Sequence, residues 1–215
     1  MGLFYLLRHG ETEWNAENKL CGRTDVPLSE TGRRQARSLA ERLKLVPFEA
    51  LYSSPLERAI ETARLLSESV GLQPVPDPRL VELDYGQWEG KTLAEIRESD
   101  PETFRAWDAN PAQVAPPGGE SGLEAQRRVV SFLEFLAAKH PQGHVLVAFH
   151  KTVCRLAISH ALGMPPSEYR RRLILNNAAL SIIQARPYGW RLITFNDTSH
   201  LSACQPDRPS LDEGF

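Results

Sequence analysis

Apolar positions recur along this chain with two different periods, and the switching between them predicts the elements. Residues 3–7 form an unbroken apolar run suited to a buried strand. After a polar loop, Ser29 is placed to cap a helix in which Ala36, Leu39, Ala40 and Leu43 recur at helical spacing. The stretch "ALYSSPLERAIETARLLSESVG" predicts strand, turn and helix. In it Ser54 serves as the cap, Pro55 takes the first helical position, Ala59, Thr62, Ala63 and Leu66 line one face, and Gly71 ends the helix. Residues 72–91 pass from Pro-rich to Gly-rich and predict an ordered loop with a short strand. Amphipathic pieces follow at 92–99 and 101–109, broken at Asp100-Pro101, and then "NPAQVAPPGGES" interrupts all regular structure. A helix is expected over about 120–139, a β-branched-rich buried strand at 144–149, and another helix through "VCRLAISHALG". Two strands around a Pro-Tyr-Gly turn are expected in "ALSIIQARPYGWRLITF", and "QPDRPSLDEGF" reads as a loosely held tail.

Strands alternating with helices predict the α/β class: a three-layer α/β/α sandwich with a mainly parallel sheet. The closing hairpin would add an antiparallel edge strand. Residues 92–140 are expected to form a helical cap insertion within a single domain spanning 1–200, with 201–215 as the tail. Composition changes this picture little. A hydrophobic content of 41% and a charged content of 24% are ordinary for a soluble globular chain. The formal net charge of -2 supplies no global basic field, so nucleic acid is not an expected partner and any anion site must be a local gathering of cations. Cys21, Cys154 and Cys204 are odd in number, widely spaced and outside any metal pattern, which argues against a disulfide framework and fits a reducing compartment. No secretory leader pattern and no membrane-length apolar run is visible, so a cytoplasmic protein without a membrane partner is expected.

Candidate chemistry begins where the first strand ends, in "FYLLRHGETEWN". Arg8 and His9 there could be two solvated polar residues at a strand end. Other segments change that reading, because ligands of open α/β sheets bind outside the carboxyl ends of the strands. "SSPLERA" brings Arg58 in the first turn of its helix, strand 144–149 delivers His150, and the loop before "YGQWEG" supplies Glu82. Taken alone, Arg58 could be a surface helix residue, His150 a structural histidine and Glu82 an ordinary loop carboxylate. Their convergence at one sheet edge favours a site.

The segments "LLRHGETEWN", "DVPLSETGRRQA", "LYSSPLERAIETA", "LVELDYGQWEG" and "PPGGES", in this order and over about residues 3–200, resemble the histidine phosphatase superfamily, phosphoglycerate mutase-like branch. The resemblance implies that His9 is the nucleophile that becomes phosphorylated, that Arg8, Arg58 and His150 surround the phosphoryl group, and that Asn15 donates a further hydrogen bond. It places Glu82 as the general acid and makes Glu89 a structural neighbour. Elementary chemistry agrees with these roles. An imidazole attacks phosphorus only when neutral, with its other ring nitrogen held by an acceptor such as a backbone carbonyl. Phosphoryl transfer spreads negative charge over three oxygens that guanidinium groups can grip. Cations around Glu82 are expected to keep it ionised until a phosphate dianion arrives, so that it serves as an acid chiefly in the substrate complex and then as a base toward water. Arginine and histidine supply the positive charge, so no metal and no other cofactor is required.

One departure stands out. The family usually has a glycine after its second histidine, and this chain has Lys151, in "FHKTVCR". Lys151 could add a cation at the pocket rim, favouring a substrate with a second anionic group, while the N–H of residue 151 still meets phosphate at the helix N-terminus. Arg23, in "CGRTDVPL", is a second candidate for reading the substrate. The expected activity is that of a histidine acid-type phosphatase, a phosphoric monoester hydrolase acting on a small phosphorylated metabolite. The rivals are a cofactor-dependent phosphoglycerate mutase, whose "RLNERHYGGLQGLNK"-like stretch is not matched, and a phospholigand-binding protein without turnover. A homodimer through the exposed hairpin edge is a further expectation.

Overall fold

The computed structural model describes residues 1–202. In chain order its elements are β1 (Leu3–Arg8), α1 (Glu13–Ala16), α2 (Glu30–Leu43), β2 (Phe48–Ser53), α3 (Glu57–Val70), β3 (Pro74–Pro76), α4 (Leu93–Ser99), α5 (Pro101–Ala109), α6 (Gly122–Lys139), β4 (His144–Phe149), α7 (Lys151–Ala161), α8 (Tyr169–Arg172), β5 (Leu180–Arg186) and β6 (Gly189–Asp197). The strands form one sheet in the order β3-β2-β4-β1-β5-β6. The first four in that order pair in parallel; the closing hairpin supplies the antiparallel edge, β5 against β1 and β6 against β5.

Successive side chains leave a strand on opposite faces, so a strand buried on both sides needs an unbroken apolar run. β1 meets that need. Phe4 and Leu6 enter one core with Val145, Val147 and Phe149 of β4 and Val129, Phe132, Leu133 and Leu136 of α6. Tyr5 and Leu7 enter the other, with Leu146 and Ala148 of β4, Leu39 and Leu43 of α2, and Ala63 and Leu66 of α3. Full burial of each such large side chain stabilises the fold by roughly 1.5–3 kcal/mol. The three layers follow: α2 and α3 on one face, α6 and α7 on the other. Within residues 92–140, α6 thus covers the sheet itself, whereas α4 and α5 carry Ile96, Phe104 and Trp107 into an aromatic extension with Tyr85 and Trp88. Among the described residues no helix is long and apolar enough to cross a membrane.

Helix starts follow the expected chemistry with one correction. The Ser29 hydroxyl accepts from Gly32 N to start α2, and Ser121 with Glu124 forms a reciprocal cap on α6. Gly71 ends α3 in the left-handed region at φ 72°. The start of α3, however, is not at Ser54-Pro55. Its N-cap is Leu56, with no side-chain bond, because Ser54 N still donates to Ala148 O and so prolongs the sheet by a residue. The Ser-Pro pair makes the turn, in which the Ser54 hydroxyl accepts from Leu56 N (3.3 Å) and also meets a histidine from another strand. Of the expected tail, Leu201 is buried, and residues 203–215, including Cys204, lie outside the described residues.

Candidate active site

β2, β4 and β1 are neighbours, and their carboxyl ends bring Ser54, His150 and Arg8-His9 together. His9 N donates to Phe149 O at 2.9 Å, locking the residue after β1 onto the end of β4. Gly10 then lets the chain leave the sheet: a Cβ there would run into the Gly32 carbonyl, so only glycine allows this loop to lie against the first turn of α2. Gly10 N donates to the Thr62 hydroxyl (3.2 Å), which in turn donates to Arg58 O (2.7 Å). Thr62, expected only as a face of α3, therefore ties the His9 loop to the helix carrying Arg58.

The His9 ring is buried, with Nδ1 2.6 Å from Gly10 O. A carbonyl only accepts, so Nδ1 bears the proton and Nε2 keeps its lone pair. Burial, and then the Arg58 and Arg8 guanidinium groups, hold the His9 pKa well below the usual 6.5, with the Gly10 bond acting in the opposite direction. His150 lies beside it, ring centroids 5.2 Å apart at 60°. Its Nε2 is 2.8 Å from the Ser54 hydroxyl, and its Nδ1 is buried with no partner among the described residues. Burial, then Arg58 and His9, depress its pKa as well.

Arg58 is fully buried and donates to the carbonyls of Gly22 (2.5 Å), Thr24 (2.9 Å) and Cys21 (3.4 Å). Arg8 Nη1 donates to Leu175 O at 2.5 Å. The Asn15 Oδ1 accepts from Thr12 N (3.1 Å) and Asn177 Nδ2 (2.8 Å), so its Nδ2 is the end that can meet an anion. Glu82, also buried, accepts from Leu83 N (2.8 Å), Thr152 N (3.0 Å) and Val153 N (3.2 Å). The carboxyl group seated on the first turn of α7 is therefore that of Glu82.

The remaining expectations fall at the margin. Lys151, half-buried, opens α7 directly after His150. Arg23 is exposed, 3.5 Å from Asp84 and 3.7 Å from Glu120. Glu89 accepts from Arg23 N (2.7 Å), Thr24 N (2.8 Å), the Thr24 hydroxyl and Tyr85 N (3.4 Å), and so shapes the loop whose carbonyls receive Arg58. Sequence reasoning missed four contributors. Ser54 was assigned to a cap. Thr152, whose Oγ1 is 2.8 Å from the Tyr85 hydroxyl, carried no motif. Arg128 looked like one polar face of α6, yet it donates to the carbonyls of Val81 (2.5 Å), Arg79 (2.8 Å) and Glu82 (3.1 Å) and pairs with Glu120. Asn177 had only its polar neighbour Asn176, before an apolar strand, as a signal.

Among the described residues no group of three or more His, Cys, Asp or Glu side chains is placed to hold a metal ion. Phosphoserine phosphatase 1 of Hydrogenobacter thermophilus is 35% identical over 196 residues, covering 91% of this chain and 92% of that protein. A probable phosphoglycerate mutase GpmB of Cronobacter sakazakii is 35% identical over 218 residues, covering 97% of each. The solved structure of YhfR from Bacillus stearothermophilus matches with a TM-score of 0.87 at 32% identity, covering 94% of this chain and 100% of that one. Residues 4–198 match the histidine phosphatase superfamily (branch 1), and with that agreement over nearly its whole described length the chain belongs to this superfamily.

Proposed function

We propose that this protein is a phosphomonoesterase of the histidine acid type that hydrolyses a small phosphorylated metabolite through a phosphohistidine on His9. The observation that carries the reading is the state of that ring: neutral, its proton pinned to Nδ1 by Gly10 O, with Arg8, Arg58 and His150 around it. In this reading Nε2 forms a bond to phosphorus as the bond to the leaving oxygen breaks. Arg8, Arg58, Asn15 Nδ2 and His150 Nδ1 donate to the phosphoryl oxygens. A Ser54 hydroxyl donating to Nε2 of His150 leaves the proton on Nδ1, the nitrogen without a partner among the described residues. Glu82, which takes up a proton as the phosphate dianion binds, gives that proton to the leaving alkoxide. It then takes one from the water that attacks phosphorus, breaking the P–N bond and releasing orthophosphate. Removing one such donor is expected to cost about a hundredfold in rate.

Lys151 and Arg23 are proposed to read the part of the substrate beyond its phosphate. Lys151→Gly is then expected to raise KM more for a phosphorylated carboxylate than for p-nitrophenyl phosphate, and equal effects would sink that role. The names of the two curated relatives make phosphoserine and 3-phosphoglycerate the first compounds to assay. The deciding experiment is phosphate release from a panel of phosphorylated metabolites in EDTA, with His9→Ala as control. Loss of activity in EDTA would overturn the metal-free route. Conversion of 3- to 2-phosphoglycerate outrunning phosphate release, with 2,3-bisphosphoglycerate present, would favour a mutase. A cytoplasmic location, a single domain and a homodimer through the β6 edge belong to the same proposal.

A further inference from the structure

The segment between α8 and β5 runs across the end of β1 and touches three of the residues assigned to the phosphate pocket. Leu175 O receives Arg8 Nη1 (2.5 Å), Ala178 N donates to His9 O (3.0 Å), and Ala179 O receives Arg8 N (3.3 Å). Ala178 holds φ 53°, a left-handed conformation that a non-glycine residue adopts at a cost. The side chain of Asn177 points from this segment to Asn15, 2.8 Å from its Oδ1. The partners leave no freedom in that contact. Thr12 N is purely a donor and sits 3.1 Å from the same oxygen, so Oδ1 is the acceptor and Nδ2 of Asn177 is the donor. With two donors on Oδ1, the amide of Asn15 cannot turn over without setting its own NH2 against both.

We infer that Asn177 is a positioning residue for phosphate recognition: it holds the Asn15 amide in the orientation that presents Nδ2, not Oδ1, to the phosphoryl group. The inference rests on the reading of Asn15 as a phosphate donor. An inverted amide would replace an attractive contact with a carbonyl oxygen facing an anion, so orientation decides the sign of the interaction and not only its size. Asn177 itself touches no reacting atom.

A double-mutant cycle tests this, using the inhibition constant of orthovanadate and KM for both p-nitrophenyl phosphate and phosphoserine. Asn177→Ala is expected to raise all of them by about five- to tenfold, the loss of one hydrogen bond of orientation. The factor should be the same for both substrates, because the contact is to the shared phosphoryl group. Asn177→Asp keeps the shape but puts an acceptor against Oδ1, so it should weaken binding further. In the Asn15→Ala background, Asn177→Ala is expected to have no effect, whereas a merely structural role would persist there. Thermal midpoints of all variants separate misfolding from the pocket effect. If Asn15→Ala weakens vanadate binding and Asn177→Ala adds its full factor on top, the positioning role is overturned while the pocket assignment stands. If Asn15→Ala leaves vanadate binding unchanged, the assignment of Asn15 falls, and the inference falls with it.

Discussion

Two cations beside His9 do opposite things to it. They would bind the phosphoryl oxygens, and they also keep the imidazole neutral before substrate arrives, since a protonated ring next to Arg58 and Arg8 would add a third positive charge in a buried space. Arg58→Gln is therefore expected to raise the pKa of His9 toward 6.5, read by NMR titration of nitrogen-15-labelled histidine, and to lower turnover by about a hundredfold. A His9 titration identical to the parent's would show that burial alone sets the ring's state. Glu89 acts one step further out. It gathers the N–H groups of Arg23, Thr24 and Tyr85, and the carbonyls of that same 21–24 loop are what orient Arg58. Glu89→Ala is expected to lower kcat/KM by roughly ten- to a hundredfold, since hydrogen bonds to a charged group are the strong ones. Retention of full activity would mean that the loop keeps its shape without the carboxylate.

Among the elements, α7 is the one whose first turn serves both folding and the site. Its N-cap is His150, and its N–H groups at Thr152 and Val153 are bonded to Glu82, which comes from a loop more than 60 residues earlier in the chain. Glu82→Gln leaves one acceptor oxygen for three donors, and is expected to lose about 1–3 kcal/mol of stability along with turnover. Urea unfolding checks this; a variant that is inactive but fully stable would show that the α7 contact is energetically idle. By contrast Ser121→Ala, at the cap of α6, should cost about 0.5–2 kcal/mol and leave kcat unchanged. The longer elements were legible because burial on two faces demands unbroken apolar runs such as Phe4–Leu7 and Val145–Phe149, and amphipathic helices demand their own spacing, whereas α1 and α8, four residues each, are too short to show a period and were not read. The exception, the start of α3, failed for a physical reason: a serine before a proline is the same signal whether its hydroxyl caps a helix or meets a histidine from another strand. That His9, Arg8, Arg58, Glu82 and His150 come together at the carboxyl edge of the sheet was legible because each sits at a strand end, in a first turn or within a recognisable motif. Arg128 and Asn177 were not, because what they do depends on carbonyls and amides supplied by segments far away in sequence, which no local pattern encodes.

At the scale of the whole molecule, the candidate site lies where the two hydrophobic layers meet the carboxyl edge of the sheet, so two imidazoles are buried in a place that also holds three elements together. That links folding to protons. Both His9 and His150 have folded-state pKa values pushed well below 6.5, whereas in the unfolded chain they titrate at about 6.5. The half-buried His200 shifts in the same direction, through burial and then Arg42. Below 6.5 the unfolded chain therefore binds more protons than the folded one, and stability rises with pH in that window. The contribution is fully present above pH 6.5 and is lost as pH falls from there toward the folded values. The depressed carboxyls of Asp77 and Glu89 titrate, even when unfolded, near 3.8 and 4.5, so the interval above about pH 5 isolates the histidines. The urea midpoint is expected to fall between about pH 7 and pH 5. His9→Asn combined with His150→Asn should flatten that fall, leaving only the part due to His200, whatever the double substitution does to stability at pH 7. A parent midpoint that stays level across this interval, or a double variant that keeps the full slope, would mean that the pocket histidines do not couple folding to protons.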